Sequence, residues 1–415
     1  MEKALLVTLK LKRKSVSWSA EEKASELAQL VKSSGAQVAR EIIVARDAPS
    51  ASFFIGKGKA EEISFLCAEE KIGVVVFNND LTGTQQKNLE GIINVKTIDR
   101  TQLILDIFAG RARSNEGKIQ VELAQLLYLL PRLTGTGILL SRPGGGIGTR
   151  GPGEQKLEVD RRSIRDRIAK LKRDLDRLSR QRSTRRKQRE KFSLLSIAIV
   201  GYTNSGKSTL LNALTGSGVY TRDRLFSTLD PIVKSFILPN NQKVLFADTV
   251  GFLNELPHHL IESFKATLEE VIKADVLLHI VDIGHPRFRE MEASVFDVLR
   301  EIGAEEKPVI TALNKADTVS DNEAERLAKE FKDAIPISAL KKINLRALID
   351  RIVLHLGSIV KTYSIVLPQR EAALISFLHE KGHVLKREYR AEKVRLEVQL
   401  PVSLYEKIRK NTRDK

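Results

Sequence analysis

The chain has 415 residues, with 69 Lys plus Arg against 52 Asp plus Glu, and carries a formal net charge of +17. That length implies about two to four domains able to bury their own cores, and a hydrophobic content of 42% excludes wholesale disorder. The single cysteine, Cys67, excludes a disulfide framework and a thiolate-rich zinc site. No run reaches the roughly 18 apolar residues of a membrane span, and MEKALLVTLKLKRK lacks a secretory apolar core, so a reducing cytoplasm is the expected location.

In chain order, the first 110 residues alternate short β-branched runs with helical patterns. ALLVTL (4–9), EIIVA (41–45) and VVVF (74–77) read as strands, with helices over Glu21 to Ser33 and Lys59 to Glu70. Such alternation predicts βαβ units on a parallel sheet. From Ile119 to Leu130 the apolar residues follow helical spacing, and Pro131 ends the pattern. TGTGILLSRPGGGIGTRGPGE (134–154) holds eight glycines and two prolines and reads as a long flexible loop. Beyond it Leu157, Ile164, Ile168, Leu171, Leu175 and Leu178 form an apolar seam on a long helix, predicting an antiparallel hairpin with the loop at its tip.

The charge is unevenly spread. Residues 150–192 carry 17 basic and seven acidic side chains, whereas residues 193–357 carry 19 and 22. The long helix runs out in RQRSTRRKQREK (180–191), seven of whose twelve residues are basic. A polyanion would meet this stretch first, with Arg132, Arg142 and Arg150 as further phosphate contacts; a solvated helix end is the alternative. No sequence signature of a base-reading RNA module or of DNA recognition accompanies it.

The chemistry lies in IAIVGYTNSGKSTLLN (197–212), an apolar strand, then Gly201-Tyr202-Thr203-Asn204-Ser205-Gly206-Lys207-Ser208-Thr209, then a helical pattern. In that context the glycines let backbone N–H groups face a β-phosphate, Lys207 spans the β- and γ-phosphates, and the Ser208 hydroxyl suits Mg²⁺. KVLFADTVGF (243–252) supplies a second strand and Asp248-Thr249-Val250-Gly251, placing a carboxylate near the metal through water and a glycine N–H near the γ-phosphate. Between them Phe226-Ser227-Thr228-Leu229-Asp230 offers Thr228 as a second hydroxyl ligand. Strands at 276–282 and 308–313 precede Asn314-Lys315-Ala316-Asp317. The acceptor-only carboxylate of Asp317 matches the N1–H and N2–H₂ donors of guanine and not adenine. Ser338-Ala339-Leu340 can back the base. Lys207, Thr228 and Gly251 are the expected catalytic groups. After Gly251 comes Phe252, whose ring cannot orient an attacking water. Asn204 reads either as a loop-stabilising residue or as a helper for K⁺ beside the phosphates. Gly56-Lys57-Gly58-Lys59 is either a βα turn or a second phosphate loop, which leaves ATP binding by the N-terminal part open.

FIGKGKAEE (54–62), NDLTGTQQKNLE (79–90), DRTQLILDIFAGRARSNEGKIQVELAQL (99–126), RGPGE (150–154), FSTLDP (226–231) and DTVGFLNELPHHLIESFKATLEE (248–270) together resemble the HflX family of ribosome-associated GTPases, in the Obg-HflX branch of the P-loop class. The resemblance implies a monomer that binds the large ribosomal subunit and its RNA, dissociates or rescues stalled ribosomes, and hydrolyses GTP with Mg²⁺. It also implies a glycine-rich tip that reaches toward the peptidyl transferase region.

The expected fold is α/β: an N-terminal parallel α/β domain (1–112), a basic helical hairpin (113–192), a P-loop G domain (193–360) and a small C-terminal α/β domain (361–415). A rival reading is an RNA chaperone or ribosome-assembly factor with the G domain as a nucleotide sensor, against which the intact Lys207, Ser208, Thr228 and Asp248 count. A membrane-trafficking GTPase lacks support because no lipidation motif is present.

Overall fold

The computed structural model describes residues 2–12, 18–133, 152–191, 194–216, 225–226, 228–240, 242–255, 257, 260, 263–264, 268–331, 334–390, 392–401, 405 and 408. The chain folds as two compact units. One comprises Met1–Asp176, Thr221–Asp230 and Val250–Leu268; the other comprises Arg177–Tyr220, Pro231–Thr249 and Glu269–Lys415. The boundaries fall inside two of the sequence motifs, between Asp230 and Pro231 and between Thr249 and Val250.

In the first unit the predicted βαβ alternation becomes β1 (Lys3–Leu11), α1 (Ala20–Ser34), β2 (Gln37–Arg46), α2 (Lys57–Glu70), β3 (Val74–Phe77), α3 (Gly83–Ile93), β4 (Lys96–Asp99) and α4 (Arg100–Arg111). The strands form one parallel sheet in the order β2-β1-β3-β4. Period-two alternation explains the core: Leu5, Val7 and Leu9 of β1 join Val75 and Phe77 of β3 beneath Ile63 and Cys67 of α2 and Leu89 of α3. Local chemistry sets the helix starts. Ser19 with Glu22, and Thr82 with Gln85, close reciprocal capping boxes on α1 and α3. Neither α3 nor β4 was apparent from periodicity, because both are short and weakly patterned.

Two helices then form the hairpin, α5 (Asn115–Leu129) and α6 (Pro152–Lys191). A 3₁₀ turn at Leu130–Leu133 follows α5 at the expected Pro131. Leu123 packs on Ile168 and Leu171, and the Arg167 guanidinium grips Glu122 at 2.6 and 2.8 Å. Most of the expected tip loop, residues 134–151, lies outside the described residues, as do Arg142 and Arg150. Arg132 corrects one expectation. Its guanidinium donates to the Leu81 carbonyl (2.8 Å), the Asp99 carboxylate (3.0 Å) and the Tyr128 carbonyl (2.9 Å), and stacks 3.4 Å from the Tyr128 ring centroid. So enclosed, it joins hairpin and sheet rather than reaching for phosphate.

The second unit holds β5 (Leu195–Gly201), α7 (Lys207–Thr215), β6 (Ile232–Ile237), β7 (Lys243–Asp248), α8 (Glu269–Lys273), β8 (Val276–Asp282), α9 (Phe288–Glu301), β9 (Val309–Asn314), α10 (Asp321–Glu330), β10 (Ile335–Pro336) and α11 (Leu345–Ile359). Its six-stranded sheet runs β10-β9-β8-β5-β7-β6, parallel except for β6. Near-continuous apolar strands such as β5 and β8 are buried on both faces, as a parallel sheet covered by helices requires. The same unit ends in β11 (Val360–Pro368), α12 (Ala372–Lys381), β12 (His383–Arg390) and β13 (Lys393–Pro401). These strands make an antiparallel sheet, β11-β13-β12, whose Leu396, Val398 and Leu400 pack with Leu378 of α12. An α/β appendage was the expectation for this end.

Candidate nucleotide site

The loop between β5 and α7 is built on two glycines that nothing larger can replace. A Cβ at Gly201 would lie 2.4 Å from the Ile280 carbonyl oxygen, and one at Gly206 (φ +94°) would lie 2.2 Å from Asn314 Nδ2. Backbone and neighbours therefore close in on the turn, and Asn204 takes a left-handed φ of 63° within it. Tyr202, Thr203, Ser205, Lys207 and Ser208 are all buried, while Thr209 is half-buried.

Lys207 opens α7 with its ammonium donating to the carbonyls of Gly201 (3.1 Å) and Tyr202 (2.7 Å). Burial pushes its pKa down to about 8, against the pull of the Asp248 charge. The Ser208 hydroxyl donates to Asp248 at 2.5 Å, and both residues are buried. Thr249, fully buried, donates its hydroxyl to the Ile199 carbonyl at 2.7 Å and ties the end of β7 to β5.

Asn314 joins the loop at residues 201–209 to the loop at residues 338–340. Its Nδ2 donates to the Ser205 carbonyl (2.7 Å), and its Oδ1 accepts from the Ala339 N–H (2.9 Å). Lys315, at φ 61°, pairs with Asp282 at 2.6 Å. The Ala316 N–H donates to the Ile337 carbonyl at 3.0 Å. The Ser338 hydroxyl holds the Asp317 carboxyl below the usual carboxylate range, with Lys341 3.2 Å away assisting. Leu340 is exposed beside them. The second unit thus brings together residues 201–209, Asp248, Thr249, Asn314–Asp317 and Ser338–Leu340.

The other expected site residues belong to the first unit. Phe226, Thr228 and Leu229 are buried there, and Asp230 is half-buried; Ser227 lies outside the described residues. Val250, Gly251 and Phe252 are buried as well. Sequence reasoning missed His279, a single imidazole inside the otherwise apolar run VLLHIV. It pairs with Val200 across β8 and β5, is 1% exposed, and stands edge-on to Phe296 at 5.2 Å. Burial and then the Lys207 charge push its pKa down to about 4, so it stays neutral near the loop lysine.

The donor set suits a magnesium nucleotide. The Ser208 hydroxyl at the start of α7 meets the Asp248 carboxylate at the end of β7, an all-oxygen pair of the kind Mg²⁺ takes, and the buried Ser205 hydroxyl has no hydrogen-bond partner among the described residues. No cluster of three or more His, Cys, Asp or Glu side chains able to hold a metal occurs among the described residues.

Three family models match the chain: an N-terminal region of GTP-binding GTPases over residues 21–109, a middle region of the same GTPases over residues 111–189, and a 50S ribosome-binding GTPase over residues 196–315. A protein named GTPase HflX from Caldanaerobacter subterraneus subsp. tengcongensis is 44% identical over 94% of this chain and 90% of its own length. Another of that name from Escherichia coli is 40% identical over 91% of this chain and 89% of its own length. Among solved structures, a GTP-binding protein from Sulfolobus solfataricus in complex with GDP is 29% identical, covers 85% of this chain and 98% of its own, and superposes with a TM-score of 0.46.

Proposed function

The chain belongs to the HflX family of GTPases, and from that premise we propose a ribosome-directed enzyme that binds the large subunit and dissociates or rescues stalled ribosomes at the expense of GTP. It is a GTP hydrolase: water attacks the γ-phosphorus, the bond to the β-phosphate oxygen breaks, and GDP and phosphate leave. The observation that carries the site assignment is the Asn314 bridge, which fixes the phosphate loop and the base-backing loop to one another through two hydrogen bonds.

In this reading the backbone N–H groups of residues 202–208 hold the phosphates, and Lys207 places its charge between the β- and γ-oxygens. Bound Mg²⁺ would neutralise charge developing on those oxygens. Ser208 and Thr228 would offer it hydroxyl ligands, and Asp248 would act through water. The Gly251 N–H would face the γ-phosphate, and Phe226 to Leu229, Thr249 and Val250 would border the nucleotide, with Asp230 closing the first of those segments. Asp317 accepts from guanine N1–H and N2–H₂, with Lys315 and Ala316 beside the base and Ser338 to Leu340 behind it. Phe252, 2% exposed, cannot align a water, so the isolated enzyme should be slow and a partner should supply the missing help.

Ribosome binding is supported by the 50S ribosome-binding GTPase match over residues 196–315 and by the surplus of 17 basic over seven acidic side chains at residues 150–192. No helix among the described residues is long and apolar enough to cross a membrane. Co-sedimentation of the full chain with purified subunits in GTP, GDP and no nucleotide tests the assignment, with retention by the large subunit and subunit release in GTP expected. Turnover measured with and without the large subunit, in K⁺ and in Na⁺, tests the slow-enzyme reading and the role of Asn204. Equal sedimentation with both subunits in every nucleotide state would sink it.

A further inference from the structure

Two segments that carry GTPase motifs are built into the N-terminal unit rather than into the G-domain sheet. In the first, Asp230 seats its carboxylate on the start of α5. Oδ2 accepts from the N–H groups of Arg113 (3.0 Å) and Ser114 (2.8 Å), and Oδ1 accepts from the Ser114 hydroxyl (2.5 Å). Ser114 is itself the N-cap of α5, accepting from the Gly117 N–H at 2.8 Å. The carboxylate therefore completes a two-residue cap at the positive end of a helix dipole. Gly117 is what lets it approach: a Cβ there would lie 2.4 Å from Asp230 Oδ1.

The same segment is pinned at its other end. Phe226 is 2% exposed, with its ring edge-on to Phe108 at 4.6 Å, and holds a left-handed φ of 55° that a phenylalanine rarely adopts unaided. The Leu225 N–H donates to the Ser33 hydroxyl at 3.0 Å. Residues following the second motif are anchored alike. Arg100, 5% exposed, donates to Glu26 (2.6 Å) and to the Asn254 carbonyl (2.8 Å), Lys23 pairs with Glu255 (2.7 Å), and Phe264 meets Phe108 edge-on at 4.8 Å.

We propose that Asp230 is a positioning residue for GTP hydrolysis, holding the Phe226–Asp230 segment, and Thr228 within it, against the first turn of α5. Thr228 lies two residues before the anchor, with buried Leu229 between them, so the carboxylate bonds fix where its hydroxyl can stand. Because α5 is one arm of the basic hairpin, whatever the hairpin binds then bears on Thr228 through this cap. The inference rests on the reading of Thr228 as a metal ligand that acts only when a γ-phosphate is present.

Steady-state GTP turnover and GDP affinity of the full chain test it, using Asp230→Asn, Gly117→Ala, their double variant and Thr228→Ala. Asp230→Asn keeps the side-chain size while removing one acceptor. Gly117→Ala displaces the carboxylate from a helix position where alanine is favourable, so neither variant threatens folding. Each should lower kcat about 10-fold with KM and GDP affinity changed less than about twofold, and the double variant should be no slower than the worse single one. A lowered GDP affinity in Asp230→Asn would mean that the carboxylate serves the nucleotide directly, and would overturn the proposal. So would a wild-type kcat, or a raised one, in both single variants while Thr228→Ala is slow. If Thr228→Ala itself turns over normally, the metal-ligand reading fails first.

Discussion

In the N-terminal sheet Gly56-Lys57-Gly58-Lys59 opens α2, and in the G-domain sheet Gly206-Lys207-Ser208 opens α7. Both turns place a glycine at positive φ, +89° and +94°, and each glycine makes room for a polar side chain: Arg46 Nη1 lies 2.2 Å from a Cβ at Gly56, Asn314 Nδ2 2.2 Å from one at Gly206. The likeness ends at the lysines. Lys57 and Lys59 lean on Glu61 (3.7 Å) and Glu62 (2.6 Å) of their own helix, and Lys57 remains 67% exposed. Lys207 is 6% exposed, with only backbone carbonyls as hydrogen-bond acceptors among the described residues and its pKa lowered to about 8. A dehydrated ammonium gains most from a polyanion, whereas a solvated, paired one gains little. The glycine–lysine letters specify a turn; the burial of the lysine specifies the chemistry, and it favours the βα-turn reading for residues 56–59.

The carboxyl edges of the two sheets differ in the same sense, and substitutions there should break different properties. The largest effect belongs to the G-domain edge. Asp317→Asn replaces an acceptor-only group by a mixed one, so the ratio of GTP to xanthosine triphosphate affinity should shift by about 10⁴, with thermal stability nearly unchanged. An unaltered ratio in competition binding would remove the base-reading assignment. At the N-terminal edge the charges are already satisfied within the protein. Asp99, fully buried, accepts from the N–H groups of Leu81 (3.1 Å) and Gln102 (2.9 Å) as well as from Arg132. Arg132→Met strands that carboxylate and should cost about 3–5 kcal/mol of stability in denaturant titration while leaving nucleotide affinity intact. Loss of nucleotide affinity without loss of stability would reverse the comparison.

How much of this could be read from the letters follows from the range of each interaction. The loop at 201–209 and Asn314–Asp317 were legible as motifs because each is a short contiguous run whose spacing carries the pattern. The βαβ alternation, the Pro131 stop and the seam at Ile164, Ile168 and Leu171 were legible through periodicity. The alliance of Asp230 with Ser114 was not, since it joins residues 116 apart through a helix cap that has no pattern of its own. Gly117 and Asp230 both lie in segments that carry the family resemblance, yet only their 2.4 Å approach explains why a glycine and a carboxylate stand there. Arg132 misled for a related reason: an arginine beside a glycine-rich loop looks like a phosphate contact until the fold returns it to Asp99.

A smaller effect separates the two sheets by pH. Burial, with the Lys207 charge, pushes the His279 pKa down to about 4 in the folded protein from an ordinary 6.5, so the unfolded chain takes up its proton first as pH falls. The stability tied to its neutral form is fully present above pH 6.5, declines below it and is lost as pH falls through about 4, a difference of about 3 kcal/mol. His279→Gln should flatten the stability profile across that window, and a profile identical to wild type would mean that the imidazole is not held neutral.

The smallest effect is the most direct check on the two lysine turns. Lys57→Ala and Lys59→Ala each remove a surface pair at the start of α2, and pairs of that kind contribute about 0–1 kcal/mol. Each variant should therefore unfold within about 0.5 kcal/mol of wild type and bind guanine and adenine nucleotides as wild type does. Lys207→Ala, by contrast, removes a charge that the protein holds dehydrated, and should weaken GTP binding by at least about 100-fold without loss of stability. Nucleotide titrations of the three variants at one pH near 7 separate the cases. If Lys57→Ala or Lys59→Ala abolishes binding of any nucleotide that the Lys207→Ala chain still holds, residues 56–59 are a second phosphate loop, and exposure is a poor guide to which glycine–lysine turn carries a ligand.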